Sequence, residues 1–176
     1  MLHIVTSNVK MKGLSEKEIE VISKLEFDRK HYFNRDDIRH HFKRDSQMRH
    51  TIHKLLMKER IVSLNKNKYY LIPIKAKKGR WGDDPFIIAD EIFNGKDYFI
   101  GGWTAANYWR LTDQVPMKIE VYTTKRQGIQ KVISTTFIYR RTTLKRIKQA
   151  ITLKRKGHSF RILKRIESQE WMKSRK

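Results

Sequence analysis

Apolar positions in the first part of the chain recur with two periods, and the change between them marks the elements. Ser15 with Glu18 is a capping-box pair, and Ile19, Ile22 and Leu25 then recur at i, i+3, i+6. That pattern predicts a short helix ending near Phe27. Asn34 with Asp37 repeats the start signal, and Ile38 and Phe42 give a second helix one apolar edge. Beyond the polar turn Lys43-Arg44-Asp45, residues Met48, Ile52, Leu55 and Leu56 follow the spacing of a stripe packed on a core. They predict a third helix of about fourteen residues. Alternation takes over in Ile61-Val62-Ser63-Leu64 and Tyr69-Tyr70-Leu71-Ile72, with Asn65-Lys66-Asn67-Lys68 as the turn of a hairpin. Three short helices and a hairpin are the element order of a winged helix-turn-helix, whose third helix keeps one face free for the major groove.

After Pro73 the pattern breaks. Lys75-Ala76-Lys77-Lys78-Gly79-Arg80 is a basic connector, and Trp81-Gly82-Asp83-Asp84-Pro85 opens a new segment with turn residues. Residues 74–82 are therefore expected to link a DNA-binding domain, residues 1–73, to a second domain, residues 83–176. Asp84 caps and Pro85 starts a short amphipathic helix that runs from Phe86 to Phe93 and stops at Asn94-Gly95. Tyr98-Phe99-Ile100-Gly101 reads as a strand, and Gly102 lets the backbone turn into Thr104-Ala105-Ala106-Asn107-Tyr108-Trp109. Lys118-Ile119-Glu120-Val121-Tyr122 reads as an edge strand with polar residues outward. Further strands are expected at residues 136–140, 148–154 and 159–163, and a closing helix around Ser168-Gln169-Glu170-Trp171-Met172. The expected class is α+β: a winged helix-turn-helix followed by a small mixed domain. No internal repeat or low-complexity tract interrupts it.

Charge narrows the function. The 176 residues contain 40 Lys and Arg against 18 Asp and Glu, a formal net charge of +22. A surplus of that size points to a polyanionic partner, most simply nucleic acid. It is unevenly spread. Residues 1–81 hold 20 basic and 9 acidic side chains, residues 82–139 hold 6 and 7, and residues 140–176 hold 14 and 2. Two basic blocks flank a neutral middle. The absence of cysteine excludes a disulfide framework and a cysteine zinc finger. No apolar run has the length of a membrane span, and the N-terminus lacks a signal-peptide core. A cytoplasmic protein with no membrane partner is expected.

On the third helix, the side opposite Met48, Ile52 and Leu55 holds Ser46, Gln47, His50, His53 and Lys54, with Arg49 at the flank and Arg44 just before the helix. That face has no carboxylate. Gln pairs bidentately with adenine, and Arg or Lys with guanine. Lys66, Asn67 and Lys68 at the hairpin turn suit phosphate or minor-groove contact. Arg140 and Arg141 open the second basic block and are candidates for flanking phosphates. A solvated face, or one packed on another protein, is the competing account of these residues.

Metal binding and catalysis are not expected. His50-x-x-His53 shares a helical face, but no cysteine accompanies it, and His40-His41 fall on the preceding helix, whereas a structural zinc site takes four ligands. Gly101-Gly102 followed by Glu120 suggests a nucleotidyltransferase turn, but Lys118 stands where the second metal-binding carboxylate would be. No other catalytic motif occurs. No cofactor is expected. Trp103, Tyr108, Trp109, Tyr122, Phe137 and Tyr139 lie in the neutral block, where packing is a commoner use than base stacking.

Several of these segments carry a resemblance. Tyr98-Phe99-Ile100-Gly101-Gly102 with Ala105-Ala106, then Leu111-Thr112, Gln114 and Pro116, and before them Tyr69-Tyr70-Leu71-Ile72-Pro73, resemble the AbiEi-type antitoxins of type IV toxin–antitoxin systems. The resemblance implies an N-terminal DNA-binding domain that represses its own operon. It also implies a C-terminal domain that counters a nucleotidyltransferase-like toxin. Family members typically continue with further helices after the region of Glu170-Trp171-Met172. A general nucleic-acid binder of chromatin or RNA, and a protein–protein interaction module, are the alternatives.

Overall fold

The computed structural model describes residues 13–74 and 83–175. The expected linker falls, apart from Ile74, outside the described residues. The chain is α+β, with seven helices and two sheets among the described residues.

Helix α1 (Glu16–Phe27) begins at the expected capping box: Ser15 N–H donates to Glu18 at 2.5 Å, and Glu18 N–H donates to Ser15 Oγ at 3.4 Å. Strand β1 (Tyr32–Asn34) leads into α2 (Arg35–Arg39), where Asn34 N–H donates to the Asp37 carboxylate at 2.6 Å. Helix α2 ends earlier than its pattern suggests, so Phe42 is buried from the loop that follows and His40 and His41 lie past the helix end. Helix α3 (Asp45–Met57) buries Met48, Ile52 and Leu55 as expected. The hairpin is β2 (Ile61–Ser63) and β3 (Lys68–Leu71), and β1 adds to its other side to give the order β1-β3-β2.

This small sheet is covered on both faces. Phe33, Ile61, Tyr69 and Leu71 pack with the three helices, while Tyr70, with Tyr32 and Val62 beside it, packs against the C-terminal core. Register explains the split, because Tyr70 pairs with Tyr32 and Val62 and so shares their face. Burial on both faces is why Tyr69-Tyr70-Leu71 reads as an unbroken apolar run.

Helix α4 (Pro85–Phe93) starts at Asp84, whose Oδ1 accepts from Phe86 N–H at 3.0 Å, and ends at Asn94 in the left-handed region. Then come β4 (Tyr98–Ile100), α5 (Gly102–Tyr108), β5 (Ile119–Thr123), β6 (Gly128–Val132), β7 (Thr135–Arg141), α6 (Leu144–Gln149), β8 (Ile151–Arg155), β9 (His158–Ile162) and α7 (Arg165–Lys173). The six strands form one mixed sheet, β6-β7-β5-β4-β9-β8. Two elements of this C-terminal part escape the sequence pattern, as β1 does in the N-terminal part. β6 is an edge strand with mostly exposed side chains, and α6 takes up Lys148, so the strand expected from residue 148 begins only at Ile151. Strand β5 is central, not an edge, with β7 parallel on one side and β4 antiparallel on the other. Glu120 is consequently buried.

Candidate nucleic-acid interface

The third helix presents its polar residues outward because its apolar stripe is committed to the core. Ser46, Gln47, Arg49, His50, His53 and Lys54 are all exposed, as is Arg44 at the N-cap. Within this run only Met48, Thr51 and Ile52 are buried, and the Thr51 hydroxyl donates back to the Gln47 backbone carbonyl at 3.0 Å. The nearby Asp45 is engaged by Arg39 Nε at 2.6 Å, so its charge is countered beside the face. Thirteen residues of helix extend about 20 Å. Beyond Asp45 in the first turn, the exposed face carries amide, hydroxyl, imidazole, ammonium and guanidinium donors and no carboxylate.

The hairpin loop is shaped by Asn65. Its Oδ1 accepts from Asn67 N–H and Lys68 N–H, both at 3.0 Å, and its Nδ2 donates to the Ile92 carbonyl at 2.9 Å. One side chain thus closes the turn and ties it to α4. Lys66 and Asn67 stay exposed at the tip. Lys68 does not join them. It opens β3, is largely buried, and its ammonium pairs with Glu91. The expectation of a free phosphate contact at Lys68 is corrected to an anchor between the hairpin and α4. A pairing across 23 residues leaves no trace in local pattern.

Glu91 and Asp90 therefore face neighbours, not solvent. Asp90 accepts from the Tyr98 hydroxyl at 2.7 Å, and burial pushes its carboxyl above the usual aspartate range. Tyr32 donates to Asp83 at 3.1 Å across the same boundary, and burial drives its phenol far above the ordinary value.

Arg140 and Arg141 lie elsewhere, at the end of β7. Arg140 Nε donates to Glu120 Oε2 at 2.9 Å, and Arg141 donates to the Thr124 carbonyl at 3.1 Å. Both line a cleft with Arg146 and Arg175, to which α3 contributes no residue. Sequence reasoning missed Arg146 and Arg175. No spacing rule connects them, and only the fold of α6 and α7 brings them beside β7.

The Gly101-Gly102 turn is packed on Glu120. Trp103 N–H donates to Glu120 Oε1 at 3.2 Å, and a Cβ at Gly102 would stand 2.5 Å from Oε2. The carboxylate thus holds the start of α5 and Arg140 together. Among the described residues no group of three His, Asp or Glu side chains could hold a metal ion, and His50 and His53 remain two exposed rings. Most of the middle aromatics are packed. Tyr122, Phe137 and Tyr139 are buried, Trp109 Nε1 donates to the Leu163 carbonyl at 2.8 Å, and Trp103 keeps partial exposure. Among the described residues no helix is long and apolar enough to cross a membrane.

No protein-family model matches the chain, and no curated protein matches it either. A solved structure does: the crystal structure of the RV2827C protein from Mycobacterium tuberculosis, at 15% identity and a TM-score of 0.54. The match covers 78% of this chain and 49% of that one, so this chain spans about half the length of that protein. The likeness is one of fold.

Proposed function

We propose that the protein is a sequence-specific DNA-binding transcriptional regulator of the AbiEi antitoxin type. In this reading residues 1–73 are a winged helix-turn-helix, with α3 as the reading helix and the hairpin as its wing. The observation that carries it is the exposed, carboxylate-free face of α3, with Gln47, Arg49, His50, His53 and Lys54 on a helix long enough for a major groove. Lys66, Asn67 and Arg44 supply phosphate contacts around it. Autorepression, and a nucleotidyltransferase-like toxin as protein partner, rest on the sequence resemblance. A gene for such a toxin is expected beside this one.

The test is a competition between duplex from the promoter region of its own gene and random duplex, with wild type and the Gln47→Ala, His50→Ala variant. Each lost base contact should weaken the preferred site by about 1–3 kcal/mol and flatten the preference. Unchanged affinity and selectivity would remove α3 as the reader. A second reading, non-specific nucleic-acid binding, is favoured by the net charge of +22. It requires the wild type to show no preference for the promoter duplex.

A further inference from the structure

Four arginines from around the C-terminal sheet converge on one cleft of about 670 Å³. Arg140 and Arg141 close β7, Arg146 stands on α6 and Arg175 follows α7. The cleft is also lined by the buried Tyr122 and Tyr139, the half-buried Trp171 and the exposed Ile129, and among the described residues no carboxylate lines it. Arg140 shares its charge with Glu120 behind it. Among the described residues neither Arg146 nor Arg175 takes part in an ion pair. The guanidinium of Arg175 sits 5.5 Å from the centre of the Trp171 ring. Burial and the Glu120 carboxylate raise the Tyr122 phenol above its ordinary range while Arg140, Arg146 and Arg175 pull it back, so three of the arginines act on one point.

Like charges gathered around a concave surface focus positive potential into it. Guanidinium forks match phosphate oxygens in geometry and charge. The volume falls within the roughly 300–1,000 Å³ of small-ligand sites. A double helix, whose major groove alone is about 12 Å wide, is too broad to enter a cleft of this volume. Trp171 and Ile129 give the lining accessible apolar surface, and an aromatic ring suits a flat base. We propose that this cleft binds a nucleoside di- or triphosphate, with the arginines on the phosphates and the Trp171–Ile129 wall on the base. The site is distinct from the α3 face and stands or falls separately from it.

The test is calorimetric titration of the full chain at about 0.15 M salt, with ATP, tripolyphosphate and adenosine as probes. ATP should bind, tripolyphosphate more weakly, and adenosine not measurably. Arg146→Ala and Arg175→Ala should each weaken ATP by roughly tenfold, as loss of a charge-assisted contact does. Both side chains are exposed, so the melting temperature should hold. Lys96→Ala with Lys154→Ala removes two exposed charges that do not line the cleft and should leave ATP binding intact. Trp171→Leu should weaken ATP but not tripolyphosphate. Absence of ATP binding would overturn the proposal, as would an equal loss in the lysine control. Tripolyphosphate binding as tightly as ATP would overturn the nucleoside part. Arginine variants that lose duplex DNA but keep ATP would make the cleft a DNA contact instead. Gln47→Ala with His50→Ala should leave all ATP titrations unchanged.

Discussion

Adding one methyl group at each of three glycines separates backbone strain from the packing that holds Glu120. Gly157 has φ +82° and open space where its Cβ would be, so Gly157→Ala carries backbone strain alone, about 1–2 kcal/mol. Gly101 lacks the positive φ, but its Cβ would lie 2.7 Å from the Tyr122 ring, which is stacked on Phe99 at 5.1 Å. Gly101→Ala is pure overpacking, about 1–3 kcal/mol. Gly102 combines both: φ is +58° and the Cβ would stand 2.5 Å from Glu120 Oε2. Moving that carboxylate disturbs its bonds to Trp103 N–H and Arg140 Nε, and one hydrogen bond to a charged group is worth about 1.5–3 kcal/mol. Gly102→Ala should therefore lose about 2.5–5 kcal/mol, the sum of a strain like that at Gly157 and the displaced bond. Urea unfolding of the three variants, fitted with a shared slope, reads the order directly. In a Glu120→Ala background the extra loss at Gly102 should vanish and the strain remain. If Gly102→Ala is no worse than Gly157→Ala, the carboxylate moves freely and the turn is not packed on it.

The two lysines of the hairpin should separate in kind. Lys66→Ala should lower the slope of log affinity against log salt for all duplexes by about 0.9, as for one phosphate contact, with thermal stability unchanged. Lys68→Ala should instead lower the melting temperature by stranding Glu91, and a larger salt effect than that of Lys66→Ala would refute the anchor role. Glu18 is buried, and despite the opposing effect of burial, Lys58 and Ser15 hold its carboxyl below the ordinary glutamate value. Its stabilisation is therefore full above pH 4.5 and fades as pH falls through the lowered folded-state value. Glu18→Ala should be less stable near neutrality by about 1–3 kcal/mol, from the lost cap and charged bond. The gap should narrow in thermal melts taken toward pH 3; a gap independent of pH would show that the charge contributes nothing.

The amino-acid sequence determined most of the N-terminal elements and the start of α4, because their signals are local. Ser15 with Glu18, Asn34 with Asp37, and Asp84 with Pro85 each mark a helix start within four residues, and the stripe of Met48, Ile52 and Leu55 orients α3 without help from the rest of the chain. The exposed residues of α3 follow from that stripe alone. Weak or absent patterning hid β1, which is three residues long, and β6, which sits at an edge and buries mainly Val132. Most of the later strands and the closing helix were also legible, but long-range contact decided how they meet. Glu120 looked like an outward residue of an edge strand until β7 closed over its other side. Lys68 looked like a loop cation until α4 brought Glu91 to it. Tyr70 carries no mark of which core it serves, since a strand alternates in the same way whichever partner covers each face. The four-arginine cleft depends on β7, α6 and α7 meeting around the sheet, and charge counts along the chain cannot convey which arginines face each other. Local periodicity specifies which side of an element is apolar. The tertiary structure alone specifies what stands opposite each remaining charge.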